Sequence, residues 1–180
     1  MEQSIFYSKM EGLNMKKLII ILFSIFSLSL YSQNDKPKRS AYSFEIAATE
    51  TQQYGMEVKE SPYFVKERVL QIYCGEKLFV ECEIEADTIS KMKVVEKNIN
   101  PEKTIIIDFS QNAENRKEIR TDLYVKNPFS KILTYNASMF TPISQKWKST
   151  SIIPIDAKLK NYEMWPHSII TLVLENWKLE

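Results

Sequence analysis

The sequence predicts an all-β fold, a two-layer antiparallel β-sandwich of about eight strands preceded by an export signal. Three observations predict it. Apolar and polar residues alternate in short runs such as Tyr42-Ser-Phe-Glu-Ile46 and Leu78-Phe-Val-Glu-Cys-Glu-Ile84, the pattern of strands with one buried face. Turn-forming segments such as Asn98-Ile-Asn-Pro-Glu102 and Asn127-Pro-Phe129 separate the runs. No long helical pattern intervenes, so strands must bury their faces on other strands. An eight-stranded barrel is the alternative closure of the same strands. At 180 residues and 44% hydrophobic side chains, the chain is one domain's worth with a substantial core.

Taken in order, residues 1–14 fit nothing around them and read as a start extension, with Met15 the expected initiator. Residues 15–32 read as a secretory signal peptide. Met15-Lys16-Lys17 forms a basic n-region, Leu18 to Leu30 an apolar run too short to span a bilayer comfortably, and Tyr31-Ser32 leads to a cleavage site before Gln33. No cysteine follows the run to take a lipid. Residues 33–40 (QNDKPKRS) are polar and proline-bearing, the composition of a flexible leader, and residues 41–180 form the sandwich domain.

Within that domain the clearest pair is Tyr63 to Tyr73 and Leu78 to Ile84, read as a hairpin joined through Cys74-Gly75-Glu76-Lys77. Other expected strands are 42–46, 56–60, 104–109, 122–125, 131–140, 151–155 and 168–177. Asp87-Thr-Ile-Ser-Lys-Met-Lys93 reads as the start of a short helix with Asp87 as N-cap, and 111–120 as a loop or single turn.

Composition excludes several function classes. A net charge of +1 over the whole chain lacks the basic footprint of a nucleic-acid binder. Export would remove three of 24 basic and two of 23 acidic groups, leaving 21 of each. Three glycines cannot build a phosphate-cradling loop, and one histidine with two cysteines argues against a structural zinc site or a histidine triad. No cofactor is expected.

The two cysteines belong to an exported chain, where a disulfide is chemically allowed. In the expected hairpin, however, Cys74 faces Leu78 and Cys82 faces Leu70, about 13 Å apart along the strand, against the roughly 7 Å between α-carbons that a bridge tolerates. Two buried thiols are the expectation. Glu81, Glu83 and Glu85 share one strand face next to Asp87; they read as a solvated face, with a glycosidase pair or calcium site as the chemical alternative. Asp87-Thr88-Ile89 also matches a short O-glycosylation signal. His167 follows Trp165-Pro166 and reads as a loop residue, and no serine sits in a Gly-x-Ser-x-Gly or Ser-x-x-Lys setting. Trp147, Tyr162, Trp165 and Trp177 all fall in the last 34 residues. Clustered aromatics form either a core or a platform for a sugar or protein partner. Trp165, Tyr162 and His167 are therefore the candidate binding residues, although for Trp165 the favoured reading is a plug at the end of the core.

Leu123-Tyr-Val-Lys-Asn-Pro-Phe129, the Leu133, Tyr135, Ala137, Met139 alternation, Tyr162-Glu-Met-Trp-Pro-His167 and Ile169 to Leu174 together resemble immunoglobulin-like modules of secreted bacterial envelope proteins. The Met15-Lys-Lys start and Ser32-Gln33 ending resemble export signals of the Bacteroidota. The resemblance covers about a third of the chain. It implies an immunoglobulin-like sandwich and an envelope address, and it carries no activity; the Cys…Trp…Cys pattern of antibody domains is missing. The expectation is a secreted or periplasmic, non-catalytic module that binds an envelope protein or glycan, with no nucleic-acid partner and no membrane anchor after signal cleavage. The alternatives are an envelope hydrolase using Glu81, Glu83 or Glu163, and a structural subunit of a larger assembly.

Overall fold

The computed structural model describes residues 34–180. The expected start extension and signal peptide lie outside the described residues. All the strands belong to one unit, Lys36–Glu180.

The strands, in order, are β1 (Lys38–Arg39), β2 (Tyr42–Ala47), β3 (Gln53–Val58), β4 (Ser61–Pro62), β5 (Phe64–Lys66), β6 (Val69–Tyr73) and β7 (Lys77–Glu85). They continue as β8 (Thr88–Val95), β9 (Thr104–Asn112), β10 (Arg120–Lys126), β11 (Leu133–Phe140), β12 (Trp147–Thr150), β13 (Lys160–Trp165) and β14 (Thr171–Leu179). A 3-10 turn at Arg116–Glu118 is the one helical element among the described residues, capped by Asn115 Oδ1, which accepts from Lys117 N. No helix there is long and apolar enough to cross a membrane.

Two antiparallel five-stranded sheets make a sandwich-like architecture. The first runs β13-β10-β9-β7-β8 and the second β12-β11-β14-β6-β5, with β2-β3 and β1-β4 as separate two-stranded ribbons. Ten strands form the two main sheets and four more the ribbons, against about eight expected, and two segments depart from their sequence pattern. Lys160–Trp165, absent from the expected strands, forms β13; its polar Asn161 and Glu163 face inward at a sheet edge and hide the usual alternation. Residues 88–95 form β8, not a helix. Ala86 (φ 46°) and Asp87 (φ 63°) are both left-handed, as a two-residue type I′ hairpin requires, and Glu85 pairs with Thr88 across that turn. Asp87, expected as a helix cap, is a hairpin-turn residue. One expected strand also shifts: 147–150 pairs with β11, while 151–155 contributes only the bridge of Ile155 to Leu133.

The expected hairpin between β6 and β7 is not formed. These strands lie in different sheets, and Cys74–Lys77 is the crossing between them. Cys74 N donates to Ile170 O (2.9 Å), extending the second sheet, while Gly75 N donates to Phe109 O (2.7 Å) and Phe109 N to Glu76 O (3.0 Å), joining the first. Gly75 has φ 95°, a conformation open to glycine at little cost. Alternation alone does not tell a hairpin from a crossing, because both sheets bury the same set of residues against one core. Both cysteines are nonetheless free and buried, in one cluster with Leu70, Ile72, Leu78 and Val80.

The expected flexible leader is also corrected over its second half. Lys36 N donates to Val94 O (2.8 Å), and β1 pairs with β4. Arg39 is 2% exposed. Its guanidinium forms an ion pair with Glu76 (2.9 Å), donates to Ser61 Oγ, Pro62 O and Gln71 O, and lies 4.5 Å and 5.0 Å from the ring centres of Tyr63 and Tyr73. A buried guanidinium is tolerated only with its charge matched and its donors used. Composition reads this segment as solvated because it registers the charge and not the partners, which lie more than 20 residues away.

Candidate functional site

The first sheet and the second meet at one open end. There the β2-β3 turn, the 112–120 loop, the turn after β11 and the Trp165–Ser168 segment surround a cleft of about 1450 Å³. Its walls are held by side chains replacing strand pairing. Gln111 Oε1 accepts from Ala47 N (2.8 Å) while its Nε2 donates to Ala47 O (3.0 Å) and Ser168 Oγ (3.1 Å). Ser168 Oγ also donates to Ala47 O. Arg116 donates to Thr49 O and Gln52 O, tying the 112–120 loop to the β2-β3 turn. Thr141 and Ser144 hydroxyls bond each other at 2.8 Å in the third wall.

Trp165 lies in the floor, 9% exposed and part of the core, and its Nε1 donates to Thr150 Oγ1 at 3.0 Å. That bond ties edge strand β13 of one sheet to edge strand β12 of the other. His167 stands exposed on the rim. Its backbone carbonyl accepts from Thr121 Oγ1 (2.8 Å) and its Nε2 lies 3.5 Å from Met139 Sδ. Partial burial, helped by Lys148, holds the imidazole below its ordinary pKa, so the ring is neutral at pH 7. The ring meets a thioether, so no serine–histidine or carboxylate–histidine pair is set up there for proton transfer. The rim carries both signs of charge, with Glu50, Glu114, Glu118, Lys117 and Lys148, and the apolar Ile143, 66% exposed.

Tyr162 is elsewhere. Alternation along β13 turns Tyr162 and Met164 to the outer face of the first sheet, away from Trp165. The three candidate binding residues are thus a floor residue, a rim residue and an outer-face residue, and only Trp165 and His167 share a cleft. The remaining aromatics are dispersed too. Trp177 is 4% exposed, stacked on Tyr135 with ring centres 4.6 Å apart, whereas Trp147 is exposed on edge strand β12 against Phe140.

The carboxylates weighed as a catalytic set do not meet. Glu81 pairs with Lys93 and accepts from Asn100 Nδ2, and Glu83 pairs with Lys91, both across the β7-β8 ladder. Glu163 accepts from Ile153 N and Asn161 Nδ2 at the opposite edge, three strand spacings or about 14 Å away. Among the described residues no three His, Cys, Asp or Glu side chains group as metal ligands. Sequence reasoning missed the Gln111–Ser168–Ala47 clamp and the 112–120 wall, whose residues carry no periodic signal. No protein-family model matches the chain, and no curated protein or solved structure matches it either.

Proposed function

We propose that the chain is an exported, non-catalytic interaction module of the cell envelope, an immunoglobulin-like sandwich in its finer classification, that holds an envelope protein or glycan in its loop-end cleft. The observation that carries the reading is the cleft itself. Four separate loops, fixed by side-chain clamps, surround an apolar floor and a rim of mixed charge, which is the anatomy of a recognition surface on a rigid scaffold. Export is supported by the Met15–Ser32 pattern, and the immunoglobulin-like class by the buried Leu133, Tyr135, Ala137, Met139 face of β11. Hydrolysis by Glu81, Glu83 or Glu163 has no such support, since each is committed to a separate structural contact. The test is co-sedimentation with isolated native envelopes. Ile143→Asp with Lys148→Glu alters only exposed rim residues, so stability stays within about 0.5 kcal/mol while retention falls. Undiminished retention would overturn the cleft as contact surface.

A further inference from the structure

The solvent face of the first sheet is of two kinds. Over β7 and β8 it is an ordinary charged face, with Glu81–Lys93 and Glu83–Lys91 pairs across the ladder. Over β13, β10, β9 and the first residues of β7, Phe79, Ile106, Tyr124, Tyr162 and Met164 share a shallow depression of about 560 Å³ with polar and charged side chains such as Asp108 and Asp122. Tyr162 is 53% and Met164 60% exposed. An antiparallel sheet with one face to water is expected to place polar residues there; exposed tyrosines and Met164 set among those polar groups make the surface amphipathic, with ring faces beside hydrogen-bonding groups.

We propose that this face is a second binding site, separate from the loop-end cleft, which takes a neutral oligosaccharide laid across the strands. The register sets Tyr162 opposite Tyr124, Tyr124 opposite Asp108, and Asp108 opposite Lys77, so one row across four strands reads ring, ring, carboxylate, ammonium. Neighbouring strands are about 4.8 Å apart, comparable to the length of one pyranose unit, so successive sugars crossing the strands meet successive members of the row. The two tyrosine rings, 5.0 Å apart and inclined at 55°, form a trough instead of a stack. One ring offers its face to the C–H side of a pyranose while the other's hydroxyl stays free to bond.

Charge decides the ligand class. The charges in the floor are already matched, Lys77 with Asp108 (3.6 Å) and Arg120 with Asp122 through two bonds of 2.7 and 3.0 Å. A charged partner meets no unmatched counter-charge in that floor, whereas sugar hydroxyls add bonds to the remaining lone pairs and N–H groups without separating the pairs. Lys126 and Lys160 stand at one end of the face, Lys160 over the Tyr162 ring at 5.8 Å, outside the depression.

This site is independent of the cleft, and its test uses different residues. The exported protein is titrated calorimetrically with cellohexaose, chitohexaose and a β-1,3-glucan hexaose, with hexagalacturonate as the acidic control. The expected result is binding of at least one neutral hexaose, weakened about tenfold or more by Tyr162→Ala. Asp108→Asn also weakens it, Tyr162→Phe keeps part of it, and Ile143→Asp leaves it unchanged. Overturning results are no neutral binding at about 1 mM, preference for hexagalacturonate, binding that survives both Tyr162→Ala and Asp108→Asn, or occupation of the face by a protein partner alone.

Discussion

Arg39 joins distant parts of the chain. Its guanidinium connects Glu76 in the sheet crossing, the carbonyls of Pro62 and Gln71, and the rings of Tyr63 and Tyr73. Arg39→Ala leaves Glu76, with a side chain only 11% exposed, without its counter-ion and with the Tyr73 N–H as a remaining donor. The expected loss is about 3–5 kcal/mol, read from the urea midpoint, and a chain beginning at Ala41, which also lacks β1 and the Lys36–Val94 bond, loses at least as much. The two thiols behave oppositely to exposed cysteines. Burial pushes Cys74 and Cys82 up to about 12, so neither is a thiolate at neutral pH. Iodoacetamide should modify neither in the folded protein and both in denaturant. His167 supplies a pH signature. Its ring is held below its ordinary value in the fold, so its contribution to stability is full above about pH 6.5. That contribution is lost as pH falls from there through the lower folded value, because the unfolded chain protonates first. Thermal midpoints measured from pH 7.5 to 5 should show a shallower decline in His167→Gln. From sequence the burial of both cysteines was legible, since alternation marks them as inward; the burial of Arg39 was not, since its partners are scattered.

Among the elements, the β7-β8 hairpin and the β6-β7 crossing show what local pattern conveys and what it omits. Glu81 and Glu83 alternating with Val80 and Cys82 announced β7 with its correct faces. The partner of β7 was not announced. A turn of Cys74-Gly75-Glu76-Lys77 suits either a hairpin or a passage between sheets, and the choice is made by Ile170 and Phe109, which lie far along the chain. At the next turn, Ala86 holds φ 46° without the glycine or asparagine that a type I′ position favours. Ala86→Gly should therefore stabilise the domain by about 1 kcal/mol, seen as a raised urea midpoint with an unchanged slope. Asn127 fixes another element boundary from inside. It is fully buried, accepts from Phe129 N, and donates to the carbonyls of Lys131, Ile155 and Asp156. The Asn-Pro-Phe turn was legible as a turn, yet its network with Ile155 depends on a strand-to-loop contact nearly thirty residues away.

On the scale of the whole molecule, two sheets are closed at one side by Trp165 bonding Thr150 and opened at one end into the cleft. Trp165 therefore contributes to the site as its floor. Trp165→Ala is expected to cost about 3–5 kcal/mol and to weaken partner retention, since it removes both core packing and the floor of the cleft. The all-β architecture was legible because alternation and turn chemistry are local. The cleft was not, because it exists only where four loops from distant positions converge. What most directly tests the cleft as the contact surface is site-specific photo-crosslinking in the native cell. A photoreactive phenylalanine is placed at Ile143 or Lys148 on the cleft rim, and at exposed Val65 on β5, the opposite edge of the second sheet. Discrete adducts from positions 143 and 148 and none from 65 are predicted; adducts from 65 alone, or equal adducts from all three, would contradict it.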